Sequence, residues 1–108
     1  MDPGPSAEIL FDVHGFDWDD GNREKCVGHG VSRPEAEEVF GDSELRIAPD
    51  PRHSGTETRS FAIGRTKAGR YAFVVFTLRS RDDRVMIRPV SVRYMHDREV
   101  RRYAQTTA

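Results

Sequence analysis

Eight consecutive residues, Tyr71-Ala72-Phe73-Val74-Val75-Phe76-Thr77-Leu78, are apolar or aromatic at nearly every position. Alternate side chains of an extended chain point to opposite faces, so this stretch needs shelter on both. It predicts a strand at the centre of a sheet, spanning residues 70–78. Two further strand candidates flank it in a meander, at residues 58–66 and 85–94, with turns at 67–69 and 80–83. Pro89 cannot donate to a ladder, so the strand that holds it must lie at an edge or carry a bulge. Leu45-Arg46-Ile47-Ala48 reads as a short strand closed by Pro49-Asp50-Pro51, and the alternating Ile9, Phe11 and Val13 fit a first one.

The helix signals lie elsewhere. Ser32-Arg33-Pro34-Glu35 is a capping-box pattern with Pro in the first turn, and Val31 and Ala36 stand where a hydrophobic staple would. Ala36, Val39 and Phe40 give that helix an inward face, and Gly41 ends it. An earlier helix starts at Asp19 or Asp20 and runs to about His29, where Gly30 supplies a stop. A last helix covers residues 96–105, with Asp97 and Glu99 in its first turn and Arg101 and Arg102 later, as the helix dipole favours. Met95, Val100, Tyr103 and Ala104 can pack on the sheet. Residues 1–8 read as a disordered leader and residues 9–108 as a single α+β domain.

With 108 residues there is chain for one modest core. No apolar run approaches the roughly 20 residues that cross a bilayer, and the acidic, Pro/Gly-rich N-terminus is not a secretory signal. Cys26 is the lone cysteine, so no intramolecular disulfide forms and a cytoplasmic location is the expectation. The net charge of −1 conceals a polarity. Residues 1–50 hold 4 Lys/Arg against 13 Asp/Glu, and residues 51–108 hold 13 against 5, giving −9 and +8. Either the second half presents a basic surface to a polyanion, or the halves neutralise each other across the fold. Of the 17 basic residues only Lys25 and Lys67 are lysines, and the arginine fork suits phosphate bidentately.

His14, His29, His53 and His96 show no metal-ligand spacing, and neither a Gly-rich phosphate loop nor a nucleophile elbow occurs. No metal and no cofactor are expected. What remains is arginines at strand ends: Arg65, Arg79 and Arg93, the last followed by Tyr94, with Arg70 beside one turn and Arg81 and Arg84 beside the other. They could gather on a phosphate or simply solvate the sheet. Asn22, Lys25 and His29 share one helix face, where His29 could transfer protons near neutral pH or cap the helix end.

Several stretches, in order, resemble the BrnT toxin family. They are Phe16-Asp17-Trp18-Asp19-Asp20-Gly21-Asn22-Arg23-Glu24-Lys25-Cys26, His29-Gly30-Val31-Ser32, residues 35–40 and Asp50-Pro51-Arg52-His53-Ser54. Phe61-Ala62-Ile63-Gly64-Arg65, Val74-Val75-Phe76-Thr77-Leu78-Arg79 and Ile87-Arg88-Pro89-Val90-Ser91-Val92-Arg93-Tyr94-Met95 complete the series, which covers residues 9–105.

The resemblance implies a RelE-like fold, with helices on one face of a curved antiparallel sheet of about four strands. It implies a metal-independent ribonuclease that stops translation, in which the RNA 2′-hydroxyl attacks its neighbouring phosphate. Arg65, Arg79 and Arg93 would then steady the phosphate, with His29, Lys25 or Tyr94 as proton-transfer candidates. Tyr94, Arg70, Arg88 and His53 would contact RNA. The implied partner is a BrnA-like ribbon-helix-helix antitoxin, expected over the basic sheet face, and operator DNA is reached only through that complex. No membrane partner is implied. One position departs from the pattern: Gly28 stands where the family usually has Lys before His-Gly-Val. Losing that cation favours the alternative of a catalytically weak or inactive antitoxin-binding protein that acts in operon autoregulation.

Overall fold

The computed structural model describes residues 13–27, 29–50 and 59–107. Along the chain run β1 (Val13–Phe16), α1 (Asp20–Val27), α2 (Arg33–Phe40), β2 (Arg46–Pro49), β3 (Ser60–Arg65), β4 (Tyr71–Arg81), β5 (Arg84–Tyr94) and α3 (Asp97–Thr107). The strands form one sheet in the order β1-β5-β4-β3-β2. The doubly apolar strand is therefore its centre, as its composition requires.

β2, β3, β4 and β5 pair antiparallel with their neighbours, whereas β1 pairs parallel with β5. The sheet is thus mixed and five-stranded, not antiparallel with about four strands. Alternation shows that a strand exists but not which neighbour it takes or in which direction, and here the chain returns to β1 only after completing the meander. The expected start of the first strand, residues 9–12, lies outside the described residues, as does the leader at 1–8.

α2 forms where the capping box places it. Ser32 Oγ accepts from the Glu35 amide while the Ser32 amide donates to the Glu35 carboxylate, and Gly41 closes the helix. Ala36 and Val39 are fully buried against β3 and β4, in a core with Val31, Ala62, Ala72, Val74, Phe76, Ile87 and Val92. Phe40 meets Phe16 and Phe76 edge-on at 5.6 and 5.2 Å between centroids. At Gly64 helix and strand touch: an added Cβ would lie 2.6 Å from the Val39 carbonyl oxygen.

Pro89 sits in an internal strand and is accommodated by a bulge. Val75 pairs with Ser91 and Phe76 with Pro89, which leaves Val90 as the extra residue. The β4–β5 hairpin turns on Asp82 and Asp83, both at positive φ (51° and 64°), which matches the twist of the strands it joins.

α1 ends at Val27, and Gly28 lies outside the described residues. α3 does not join α2. It touches the sheet through Tyr103 on Tyr71 and Glu99 on Arg93. Those two sheet residues alternate with Ala72, Val92 and Tyr94 on the α2 side, so α3 meets the opposite face. The expectation of helices on a single face is therefore met by α2 and not by α3.

Candidate functional site

The register places the strand-end arginines. Arg65 pairs with Tyr71, Arg93 with Phe73 and Arg79 with Met86. Directly paired residues share a face, so all three arginines project away from α2. Arg65 and Arg93 stand two strands apart near the same end of the sheet. Arg79 lies six positions beyond Phe73 along β4, roughly 20 Å away at ~3.3 Å per residue. Two of the three are brought together and the third is not.

At the first end each arginine lies beside an aromatic ring and is held by carboxylates. The Arg65 guanidinium carbon is 5.8 Å from the Tyr71 ring centre. Its Nε and Nη2 are 3.7 and 3.6 Å from Asp42 Oδ2 and Glu44 Oε2, and its amide donates to Asp42 Oδ2 at 2.7 Å. Burial works against charge on Asp42, but hydrogen bonds from the Arg65 and Glu44 amides, with the Arg65 charge, keep its pKa below the usual value. Arg93 lies 5.1 Å from the Phe73 ring centre and donates to both oxygens of Glu99 at 2.8 and 2.9 Å. That hydrogen bonding pulls the Glu99 carboxyl down to about 2 and raises the Arg93 pKa. Phe73 in turn stacks on Phe61 at 5.0 Å. The result is an aromatic surface on β3 and β4 with a guanidinium on either side.

Tyr94 follows Arg93 but projects to the α2 face, where its hydroxyl donates to Glu35 Oε2. The Arg70 guanidinium carbon lies 3.5 Å from the Tyr94 ring centre, so these two residues meet. The Glu35 bond raises the Tyr94 pKa, and the same bond, with the Ser32 contacts, lowers that of Glu35. At neutral pH the phenol keeps its proton, which suits a proton donor rather than a base.

Arg88 stands toward the other end, with its side chain 14% exposed. Its guanidinium bonds both oxygens of Asp19 at 2.9 and 3.2 Å and lies 3.5 Å from Asp17, which Arg81 also reaches at 3.2 Å. The Arg88 hydrogen bonds pull the Asp19 carboxyl down to about 2. This is a brace between β5 and the start of α1. Asn22 proves to be part of the same anchor. It is buried, and its Nδ2 donates to the Asp17 and Pro89 carbonyls at 3.0 and 2.8 Å. It therefore pins α1 to the bulge rather than forming a reactive face with Lys25 and His29. His29 is exposed in the turn between α1 and α2. Lys25 lies in α1 with its side chain outside the described set, and His53 lies outside the described residues altogether.

Arginines of the second half thus meet acids of the first at Arg65–Asp42, Arg65–Glu44, Arg81–Asp17, Arg88–Asp17 and Arg88–Asp19. Part of the charge polarity is neutralised across the fold. Among the described residues no three His, Cys, Asp or Glu side chains gather as a metal ion would need, and no helix there is long and apolar enough to cross a membrane. The sequence reading did not single out Phe61, Tyr71 and Phe73 as site residues. Their alternate spacing was a usable signal, but only the register puts them beside Arg65 and Arg93.

A search of curated proteins finds no match to this chain. The family model for the ribonuclease toxin BrnT of type II toxin–antitoxin systems matches residues 18–99, about three quarters of the sequence. The matched span runs from the anchor residues before α1 to Glu99, the partner of Arg93, and contains Arg65, Tyr71, Phe73 and Arg93. The chain belongs to the BrnT family of ribonuclease toxins of type II toxin–antitoxin systems.

Proposed function

We propose that this protein is a metal-independent endoribonuclease of RelE-like fold whose substrate lies on the sheet face opposite α2. The observation that carries this reading is the placing of Arg65 and Arg93 beside Tyr71 and Phe73 on that face. Guanidinium groups next to half-buried rings suit single-stranded RNA, which offers phosphates to bind and bases to stack. The 2′-oxygen attacks the adjacent phosphorus as the bond to the 5′-oxygen breaks, leaving a cyclic phosphate and a 5′-hydroxyl. Arg65 and Arg93 would exchange their surface carboxylates for the phosphate and stabilise its developing charge. Arg79 would hold the backbone further along β4. Arg70 would stand at the rim; Tyr94 is turned to the α2 face and held by Glu35, which leaves His29 and Lys25 as the candidates for proton transfer. Cleavage of messages would stop translation in the cytoplasm. A BrnA-like ribbon-helix-helix antitoxin covering the same face would block RNA, and operator DNA would be reached through that complex.

Induced expression is expected to arrest growth, with rescue by co-expressed antitoxin and by Arg93→Ala. Removing one donor to a developing oxyanion costs about 100-fold in rate or more. Growth at the normal rate with the wild-type chain would overturn the nuclease reading.

One observation favours the second reading, an antitoxin-binding protein without catalysis. Arg65 and Arg93 are both engaged by carboxylates, and Arg79 stands well away from them. Purified protein that binds its antitoxin but leaves RNA intact would select that reading.

A further inference from the structure

Beside Arg65, the turn after α2 and the flank of α3 enclose a cleft of about 460 Å³, lined by Ser43, Glu44, Leu45, Arg46, Tyr71 and Tyr103. This lies within the range of small-molecule sites, roughly 300–1,000 Å³. Its composition is specific. Tyr71 and Tyr103 meet at a centroid distance of 5.8 Å and an interplanar angle of 65°, so the two rings form an angled aromatic corner of the cleft. Arg46 is exposed and, among the described residues, is paired with no carboxylate. Burial raises the Tyr103 pKa, and the Arg46 charge pulls against it. The Glu44 side chain is 70% exposed, and its carboxylate lies 3.6 Å from Arg65.

We propose that this cleft takes a guanine base of single-stranded RNA whose phosphate sits at Arg65. The proposal rests on the reading of the adjacent face as an RNA site. Guanine offers two neighbouring donors, N1–H and the 2-amino group, which a carboxylate accepts together. It also offers two neighbouring acceptors, O6 and N7, which match an arginine fork. Adenine presents an acceptor at N1 and lacks the paired donors. Glu44 and Arg46 therefore complement guanine on both edges, and Tyr71 and Tyr103 supply stacking surfaces. A phosphate drawn to Arg65 releases the Glu44 carboxylate for the base, so backbone and base recognition are coupled.

The test uses 2′-O-methyl oligonucleotides, which lack the attacking hydroxyl: six uridines long, with one central guanosine or one central adenosine. Fluorescence anisotropy with the full chain is expected to show about tenfold tighter binding of the guanosine probe. Glu44→Gln is expected to bring that ratio close to one, and Tyr103→Leu to weaken both probes. Circular dichroism of each variant checks that it folds. Equal binding of the two probes, no binding of either, or an unchanged ratio in Glu44→Gln overturns the proposal. All-ribose versions are read separately for cleavage. Guanosine preference without cleavage keeps the cleft and removes the nuclease reading, and cleavage without any preference does the reverse.

Discussion

Replacing Gly64 with alanine tests the seam that positions Arg65. The added Cβ would stand 2.6 Å from the Val39 carbonyl oxygen, 3.1 Å from Val39 Cγ1 and 3.3 Å from Asp42 Cβ. The nearest of these is backbone, so it cannot turn aside as a flexible side chain would. α2 must retreat from β3 by at least 0.4 Å to restore even a 3.0 Å approach. That motion also stretches the 2.7 Å bond from the Arg65 amide to Asp42, two residues beyond the end of α2. Two effects compete. Alanine restricts the unfolded chain and should stabilise by about 0.5–1 kcal/mol. Overpacking a closed interface costs about 1–3 kcal/mol, and more where backbone must move. The clash wins, for a net loss of about 2 kcal/mol. In a domain of this size that lowers Tm by roughly 8–16 °C and moves the urea midpoint by about 1 M. Gly41→Ala is the control, because its Cβ would meet the Glu38 oxygen at an ordinary 3.5 Å. It should stay within about 0.5 kcal/mol of the parent. If Gly64→Ala unfolds at the parent's midpoint, helix and strand are not in contact there and the placement of Arg65 by α2 is wrong.

Other outcomes follow from the same contacts. Asn22→Ala removes both donations that tie α1 to β5 and should cost about 2–3 kcal/mol in chemical denaturation; a loss below about 0.5 kcal/mol would mean that α1 is anchored by other groups. Arg88→Met leaves Asp17, 8% exposed, with Arg81 alone, and should destabilise by about 1–2 kcal/mol in chemical denaturation, because the carboxylate keeps one partner. Glu99 should titrate at about 2 instead of its ordinary 4.5. Because its folded pKa is depressed, its hold on Arg93 is complete above pH 4.5 and fades as pH falls toward 2. An NMR titration of the Glu99 carboxyl checks this, and a midpoint at the ordinary value would dissolve the pair. Asp83→Gly relieves a positive φ in the β4–β5 turn and should stabilise by about 1 kcal/mol; a lower thermal midpoint would show that the Asp83 side chain supports the turn.

Local chemistry was legible where it acts over a few residues. Ser32 and Glu35 announce the start of α2, Gly41 its end, and Pro89 an edge or a bulge, because caps and missing donors work within one turn of chain. The doubly apolar run at 71–78 determined its own central place, since no edge strand can shelter both faces. The candidate site was half legible: the arginines were visible, their company was not. Tyr94 and Arg93 are neighbours in sequence yet face opposite ways, while Arg65 and Arg93, 28 residues apart, share a face because the pleat and the pairing register put them there.

Only the tertiary structure decided the rest. It laid β1 parallel on β5, carried α3 to the face opposite α2, and separated Arg79 from Arg65 and Arg93 by most of the length of β4. It also neutralised part of the charge polarity, bringing Asp17, Asp19, Asp42 and Glu44 to arginines 21 to 71 positions away. The physical reason is common to all of these. Sequence pattern fixes which way a side chain points relative to its own strand or helix, and that is a local property. Which groups then meet depends on strand order and register, which the burial of the whole core selects at once.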